Sequence, residues 1–243
     1  MIERNIFIVT RYGSMPGFAA CPDGAGPYPP VILYMDAPGF REELRNMARR
    51  IAARGYYCLL PDLYYRLGML RFDIPRRNDA MSVVIRGAMA SLTNEAVAQD
   101  TAGMLAFLDA RDRVKPGPVG CVGHCMSGSF VTTVAAHYPT RFAAAAALYG
   151  IGIVTDQMDS PHLLLDRVQG ELYFAFAEHD PGVPDQAIAG LQAALARTGL
   201  RHTVKVIPGT HHGYQFAARA DYQPVAAEAT WDDLFALWER TLR

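Results

Sequence analysis

The chain has 243 residues, 51% of them hydrophobic, which is long enough for a single domain with a large buried core. Its 23 lysines and arginines balance 24 aspartates and glutamates, so the charge gives no reason to expect nucleic acid or an anionic membrane as a partner. The longest apolar run, residues 142–154, is shorter than the roughly 20 residues that a membrane span requires. We therefore expect a soluble monomer or small homo-oligomer that binds a small molecule.

The N-terminal segment has the pattern of a strand. Residues 1–10 mix charged and apolar side chains in short alternation, without the basic stretch and apolar core of an export signal. The four cysteines are too few and too irregularly spaced for a disulfide framework or a paired zinc site; they are Cys21, Cys58, Cys121 and Cys125. These features predict a protein of the reducing cytoplasm.

The order of the predicted elements indicates a mostly parallel sheet. Residues 1–21 predict two antiparallel edge strands around a turn at 13–17. From residue 31 onward, short apolar runs alternate with longer helical patterns, which is typical of a parallel sheet with helices on both faces. The predicted strands are 31–35, 57–60, 119–122, 143–149, 172–177 and 203–207, and the predicted helices are 41–54, 94–110, 129–137, 184–197 and 226–242. We expect one α/β domain over residues 1–243.

Residues 64–92 interrupt this regularity. Five arginines alternate there with methionine, phenylalanine and isoleucine: Arg66, Arg71, Arg76, Arg77 and Arg86. An irregular insertion between a strand and a helix often forms a lid or a pocket wall, and as often it is an ordinary solvated excursion. Both interpretations stay open from the sequence.

The motif that carries chemistry is Gly123-His-Cys-Met-Ser127. A predicted strand precedes it and a predicted helix follows it, which is the pattern of a nucleophile elbow with Cys125 as the nucleophile. Small residues two positions on either side of Cys125 are needed because the turn is sharp. At a helix N-terminus the macrodipole favours a thiolate.

The cysteines and the elbow motif each have an alternative interpretation. A free cysteine is often only a small buried hydrophobe, which suits Cys58 and Cys121 inside apolar runs better than it suits Cys125. A rival elbow starting two residues later would make Ser127 the nucleophile. It requires Cys125 at a leading position where Gly123 fits better.

An acid and a base follow the elbow in the chain. Asp180 comes after the predicted strand 172–177 and His212 after the strand 203–207, so both belong to loops at the sheet edge that also carries Cys125. Glu178 competes with Asp180 for the acid, and His211 competes with His212 for the base. Together with His179 these four residues could alternatively hold a metal, although they lack a recognised ligand spacing.

An oxyanion hole requires two backbone N–H groups. One is expected from Met126, directly after the nucleophile, and the other from the loop 36–40 after the first parallel strand. Pro38 has no N–H, so Ala37 is the better candidate in that loop.

These residues resemble the dienelactone hydrolase family of α/β-hydrolases, over nearly the whole chain. The resemblance rests on Gly123-x-Cys125, on Gly55-Tyr-Tyr leading into Pro61-Asp-Leu-Tyr64, on Asp180, and on Pro208-Gly-Thr-His-His-Gly-Tyr214. It implies the α/β-hydrolase fold, no cofactor, and Cys125, Asp180 and His212 as the catalytic residues. His212 is preferred because His-Gly-aromatic is the family's usual form.

The resemblance also gives Asp36 a role. In that family a glutamate of the oxyanion loop approaches the resting thiol and helps to decide when the thiolate forms. Asp36 is the matching residue, one methylene shorter, and is our candidate for gating the thiol of Cys125. A carboxylate that begins a turn or caps a helix before Arg41 is the alternative.

The chain departs from the family near its histidine. Gly213 and Phe216 stand where members that cleave dienelactone carry a serine and an arginine for the substrate carboxylate. Ser127 replaces a glycine and is still small. Dienelactone itself is therefore not the predicted substrate unless an arginine of residues 66–86 takes over.

The sequence thus predicts a cysteine-dependent hydrolase of small carboxylic esters or lactones that works through a thioester acyl-enzyme. A metal-dependent hydrolase or lyase is one alternative. A non-catalytic ligand-binding protein of the same fold is the other, because a fold alone does not guarantee a function.

Overall fold

The computed structural model describes all residues, 1–243, and the chain divides into two compact units, Met1–Val119 and Gly120–Arg243. Each unit is described by itself below. That the whole chain is one domain stays a prediction.

The first unit contains four strands and three helices. The strands are β1 (Ile2–Thr10), β2 (Gly13–Cys21), β3 (Pro30–Tyr34) and β4 (Tyr57–Pro61), and the helices are α1 (Glu42–Ala53), α2 (Asp79–Ala90) and α3 (Asn94–Asp109). In space the strands follow the order β1-β2-β4-β3. β1 and β2 pair antiparallel, as do β2 and β4, whereas β3 and β4 are parallel.

The turn between β1 and β2 lies earlier than the sequence predicted. The ladder is continuous to the pair Thr10 and Gly13, so only Arg11 and Tyr12 form the turn, and residues 13–17 lie inside β2. Gly13 and Gly17 were interpreted as turn residues. Gly17 instead allows close approach within the sheet, because a Cβ there would lie 2.9 Å from the carbonyl oxygen of Leu60.

Helix α1 packs as its pattern predicts. Its buried side chains are Leu44, Met47, Ala48, Ile51 and Ala52, all on one helical face. Full burial of a leucine, isoleucine or methionine contributes about 1.5–3 kcal/mol, so this face secures the helix between β3 and β4 in the chain.

Residues 64–92 are more regular than predicted. They contain two 3₁₀ turns, Tyr65–Leu67 and Ile74–Arg76, and then the helix α2. The side-chain oxygen of Asn78 caps α2 by accepting a hydrogen bond of 2.9 Å from the backbone N–H of Met81. The prediction missed α2 because Val83, Val84 and Gly87 have low helix propensity and Ile85 and Ala88 are its only buried side chains.

The second unit contains four strands and three helices. The strands are β5 (Val119–His124), β6 (Phe142–Leu148), β7 (Glu171–His179) and β8 (His202–His211), and the helices are α4 (Ser127–His137), α5 (Asp185–Leu195) and α6 (Pro224–Leu242). A 3₁₀ helix spans Pro161–Arg167. The strands follow the order β5-β6-β7-β8, and β6, β7 and β8 are parallel. The buried face of α6 includes Trp231, Leu234, Phe235, Leu237 and Trp238.

Strands β7 and β8 extend beyond their predicted ends, to His179 and His211. Pro208 and Gly209 indicate a turn in the sequence, but the pairing resumes after a register shift, with His179 opposite His211. Proline is tolerated there because β8 is the last strand in the order and needs no ladder bond on its outer side. The loops that carry Asp180 and His212 therefore begin at those residues.

The eight strands form a mostly parallel sheet with antiparallel strands at its N-terminal edge, which together with the helices gives the α/β-hydrolase fold. None of the helices combines the length and the apolar character that crossing a membrane requires.

Candidate active site

Cys125 occupies the turn between β5 and α4. Its φ of 56° lies in the left-handed region, which residues other than glycine seldom adopt. The backbone N–H of Cys125 donates to the carbonyl of Leu148 at 3.1 Å, and its carbonyl accepts from the N–H groups of Gly128 (3.1 Å) and Ile151 (2.9 Å). Hydrogen bonds on both peptide groups thus hold the strained residue, as expected for an elbow that presents its side chain.

The small residues of the motif are explained by close contact. A Cβ at Gly123 would lie 2.5 Å from the carbonyl oxygen of Ser127 and 2.7 Å from Cγ1 of Val131, so no larger residue fits. Ser127 is fully buried in the first turn of α4, which begins two residues earlier than predicted. The left-handed residue is Cys125 and not Ser127, which is the geometry of the first elbow and not of its rival.

Asp180 and His212 form a close pair at the ends of β7 and β8. Nδ1 of His212 lies 2.7 Å from Oδ2 of Asp180, whose side chain is only 1% exposed. The other carboxylate oxygen, Oδ1, accepts a hydrogen bond of 2.9 Å from the backbone N–H of Gly182. The carboxylate is therefore held on both oxygens, and it orients the imidazole ring.

The charge of His212 depends on two neighbours. Burial lowers its pKa, but the hydrogen bonds with Asp180 and with Cys125 outweigh burial and raise the pKa to about 9 from the ordinary value of 6.5. His212 is thus an imidazolium at neutral pH. It contacts both the carboxylate and the thiol, and an imidazolium beside a cysteine stabilises the thiolate.

A separate group contains the alternative acid and base, Glu178 and His211, together with His179. Glu178 accepts a hydrogen bond of 2.8 Å from the N–H of Gly209, and Nε2 of His179 lies 3.6 Å from its Oε2. The ring of His211 packs 5.0 Å from the ring of His179. No group of three or more histidine, cysteine, aspartate or glutamate side chains in the protein is placed to hold a metal ion.

Sequence reasoning missed Tyr149. This residue was predicted as the end of a strand, but it follows β6 with a φ of 38° and its ring packs edge-on against His212, with 5.1 Å between the centroids. Tyr214 also packs edge-on against Tyr149, with 5.4 Å between the ring centroids. A tyrosine before Gly150 carries no sequence signal for this contact, which depends on the pairing of distant strands.

Sequence reasoning also missed a buried link between His124 and Gln215. Nε2 of His124 lies 2.8 Å from Oε1 of Gln215, and both side chains are buried. His124 directly precedes Cys125, and Gln215 is three residues beyond His212. This hydrogen bond therefore joins the elbow to the loop of the candidate base.

Arg219 packs close to Gly213, the residue that follows His212 in the chain. Its guanidinium stacks over Phe216 at 4.8 Å from the ring centroid. A Cβ at Gly213 would lie 2.5 Å from Nη1 of Arg219, and Gly213 has a φ of 86°. Of the arginines in residues 66–86, Arg66 pairs with Asp100 at 2.8 Å and Arg71 pairs with Asp62 at 2.7 Å.

In the first unit, the structure pairs Asp36 with Arg41. Both carboxylate oxygens of the fully buried Asp36 accept hydrogen bonds from the guanidinium. Its backbone carbonyl accepts from the N–H of Gly39 at 2.8 Å, which closes a turn. The carbonyl of Ala37 accepts a hydrogen bond of 2.7 Å from the hydroxyl of Tyr64. The backbone of Asp36 thus forms a turn, as the alternative interpretation predicts. Its role in gating the thiol stays a prediction.

Comparison with known proteins agrees with this fold. The model of the dienelactone hydrolase family matches residues 15–242, so the chain belongs to this family. A Synechocystis protein named "Putative carboxymethylenebutenolidase" is 28% identical over 232 residues, which cover 93% of this chain and 92% of that protein. The chain is accordingly a hydrolase that acts on lactones or esters.

Solved structures give the same fold. A structure described as a "Putative Dienelactone Hydrolase" from Klebsiella pneumoniae superposes with a TM-score of 0.87 at 24% identity and covers 98% of both chains. A dienelactone hydrolase-like promiscuous phosphotriesterase from metagenomic libraries superposes with a TM-score of 0.82 at 17% identity, over 100% of this chain and 99% of its own. At these identities the likeness concerns the fold alone.

Proposed function

We propose that this protein hydrolyses small carboxylic esters and lactones with a triad of Cys125, His212 and Asp180. One observation carries the proposal: the imidazole of His212 is hydrogen-bonded to the buried carboxylate of Asp180, and the same imidazole is close enough to Cys125 for the cysteine to raise its pKa. A nucleophile, a base and an orienting acid in hydrogen-bond contact are what covalent hydrolysis requires.

The first half of the reaction acylates the cysteine. The thiolate of Cys125 attacks the carbonyl carbon, and the electron pair of the C=O bond moves to its oxygen. The tetrahedral intermediate then collapses, the C–O bond to the alcohol breaks, and the imidazolium of His212 donates its proton to the departing alkoxide. The products are a thioester on Cys125 and either a free alcohol or, for a lactone, the opened hydroxyl end of the same molecule.

The second half regenerates the enzyme. Neutral His212 accepts a proton from water as the water oxygen attacks the thioester carbonyl, and Cys125 leaves as a thiolate. Asp180 keeps the ring oriented in both halves because Nδ1 of His212 is its hydrogen-bond partner. No cofactor enters this scheme.

The negative oxygen of each tetrahedral intermediate needs N–H donors. The backbone N–H of Met126, next to Cys125 at the start of α4, is the proposed first donor. The N–H of Ala37 is the proposed second donor, and Asp36 is the proposed regulator of the thiol; both rest on the sequence alone. The four free cysteines fit a reducing compartment, which supports the proposal of a cytoplasmic enzyme.

The proposal is tested by assaying a panel of aryl esters and lactones with the wild type, Cys125→Ala and Cys121→Ala. We expect Cys125→Ala to lose at least about a thousandfold in kcat/KM, because it removes the nucleophile. Cys121→Ala is the matched control, since Cys121 is fully buried within β5. Mass spectrometry after rapid quenching is expected to find the acyl group on Cys125.

The alternatives give opposite results. A metal-dependent hydrolase or lyase would lose activity on treatment with EDTA and keep it in Cys125→Ala. A non-catalytic binding protein would turn over no member of the panel and would show no difference between the variants. Either outcome would refute the cysteine mechanism.

A further inference from the structure

The first unit contains a half-open cavity of about 440 Å³ that none of the candidate catalytic residues lines. Its walls come from β1, from the end of β2, from the start of β4, and from the end of α3 with the turn that follows it. This volume lies within the range of about 300–1,000 Å³ that is typical of small-molecule sites.

The rim of the cavity is positively charged. Arg4 on β1 and Arg111 and Arg113 after α3 line it, and Asp112 is the one carboxylate in the lining. Arg113 donates a hydrogen bond of 2.6 Å to the carbonyl of Gly24, and Arg4 and Arg111 form no ion pair within the protein. An arginine near the C-terminus of α3 interacts favourably with the helix dipole, but this does not account for Arg4 on a strand.

Beside its arginines the cavity is lined by apolar side chains such as Phe107 and Ala19 and by one hydroxyl, that of Tyr57. The guanidinium of Arg111 stacks over the ring of Phe107, with 4.2 Å to the centroid, so its N–H groups point outward from the edge of the stack. Tyr57 and Cys21 are buried side chains of the same wall. Burial raises the pKa of both groups, so both are neutral at physiological pH and the phenol of Tyr57 can act as a donor.

We propose that this cavity binds a small organic anion with a flat apolar body, of the aryl carboxylate class. The guanidinium groups of Arg4 and Arg111, which both line the cavity, suit the two oxygens of a carboxylate, because planar N–H forks bind carboxylates in a bidentate manner. The apolar body would lie against Phe107 and the wall of β2. The hydroxyl of Tyr57 would donate a third hydrogen bond.

The test is calorimetric titration of the full-length protein with 2-naphthoate, and with 2-naphthamide as the uncharged analogue. We expect saturable binding of 2-naphthoate at or below about 1 mM, and binding of 2-naphthamide at least roughly tenfold weaker. Arg4→Gln and Arg111→Gln should each weaken 2-naphthoate roughly tenfold or more, because a charge-assisted hydrogen bond is lost. Both arginines are exposed, so their replacement should leave thermal unfolding unchanged.

Two control variants locate the ligand. Arg11→Gln removes an arginine that does not line the cavity, and His212→Ala alters the candidate active site; both should bind 2-naphthoate as the wild type does. The proposal is overturned if the two cavity variants keep wild-type affinity, if 2-naphthamide binds equally well, or if His212→Ala abolishes binding. The last result would move the ligand to the active site.

Discussion

Two acid–histidine sets lie at the ends of β7 and β8, Asp180 with His212 and Glu178 with His179, and they differ in burial and in hydrogen bonding. Asp180 is 1% exposed and His212 is 25% exposed, and 2.7 Å separates their paired atoms. In the second set Glu178 is 47% exposed and His179 is 58% exposed, with 3.6 Å between them. Solvent screens the second set, and a surface ion pair of this kind contributes about 0–1 kcal/mol.

The first set also holds both oxygens of its carboxylate, whereas in the second set the N–H of Gly209 and Nε2 of His179 both approach the same oxygen, Oε2 of Glu178. The backbone N–H of Gly182 holds the free oxygen of Asp180, and the ring of Tyr149 packs against His212. The two acids, Glu178 and Asp180, are two positions apart along the chain, and they differ in usefulness because only the set of Asp180 is ordered and partly desolvated. Preorganisation of this kind makes acid–base catalysis effective.

The largest expected effect on activity comes from replacing His212 by alanine, with the same replacement of His211 as the comparison. His212→Ala should lower kcat/KM for an aryl ester by about 10²–10⁴-fold, because it removes the group that carries the proton. His211→Ala, the matched control, should stay within about threefold of the wild type because His211 contacts neither Asp180 nor Cys125. Steady-state assays of both variants check this. A comparable loss in His211→Ala would contradict the assignment of the base.

A smaller loss of activity is expected when the acid Asp180 is replaced. Asp180→Asn should lower kcat about 10²-fold, because an amide does not stabilise the imidazolium and can select the wrong ring tautomer. Glu178→Gln should change kcat less than about twofold, since the carboxylate is exposed. The pKa of His212, followed by NMR titration of its ring protons, should fall in Asp180→Asn because a raising interaction is lost. An unchanged pKa would contradict the geometry.

The pair of His212 and Asp180 also predicts that the free energy of unfolding depends on pH. The pKa of His212 is raised in the folded state to about 9, above its unfolded value of about 6.5. Its contribution is therefore fully present below about pH 6.5 and is lost as the pH rises through 9. In urea unfolding, His212→Gln should lose on the order of 1–3 kcal/mol relative to wild type at pH 6 and much less at pH 9.5. A difference independent of pH would sink this explanation.

The smallest expected effect concerns the link behind the elbow. Gln215→Leu leaves Nε2 of the buried His124 without its partner, which should cost about 1–3 kcal/mol in the free energy of unfolding. We expect kcat to fall about three- to tenfold with little change in KM, since the elbow and the histidine loop lose a mutual restraint. Gln192→Leu on the exposed face of α5 is the control. Equal behaviour of the two variants would show that the link has no positioning role.

Much of the fold could be predicted because local patterns encode it. Apolar runs gave β3 to β6 to within two residues, and the buried face of α1 was the predicted one. Helix α2 escaped prediction because only two of its side chains are buried, so its periodicity is faint. The ends of β7 and β8 escaped because Pro208 and Gly209 signal a turn locally, whereas pairing with β7 continues the strand.

The sequence by itself indicated the elbow: Gly123 is small because the carbonyl oxygen of Ser127 and Cγ1 of Val131 lie 2.5 and 2.7 Å from where a Cβ at Gly123 would be. It also named Asp180 and His212 among the candidates, through their order in the chain. Chain order left both His211 and His212 open and the family resemblance favoured His212, while the tertiary structure shows that His212 is the one that meets Asp180. Their side chains point in different directions from the end of β8, and the register of β7 and β8, strands separated by more than 20 residues in the chain, decides which one meets the acid.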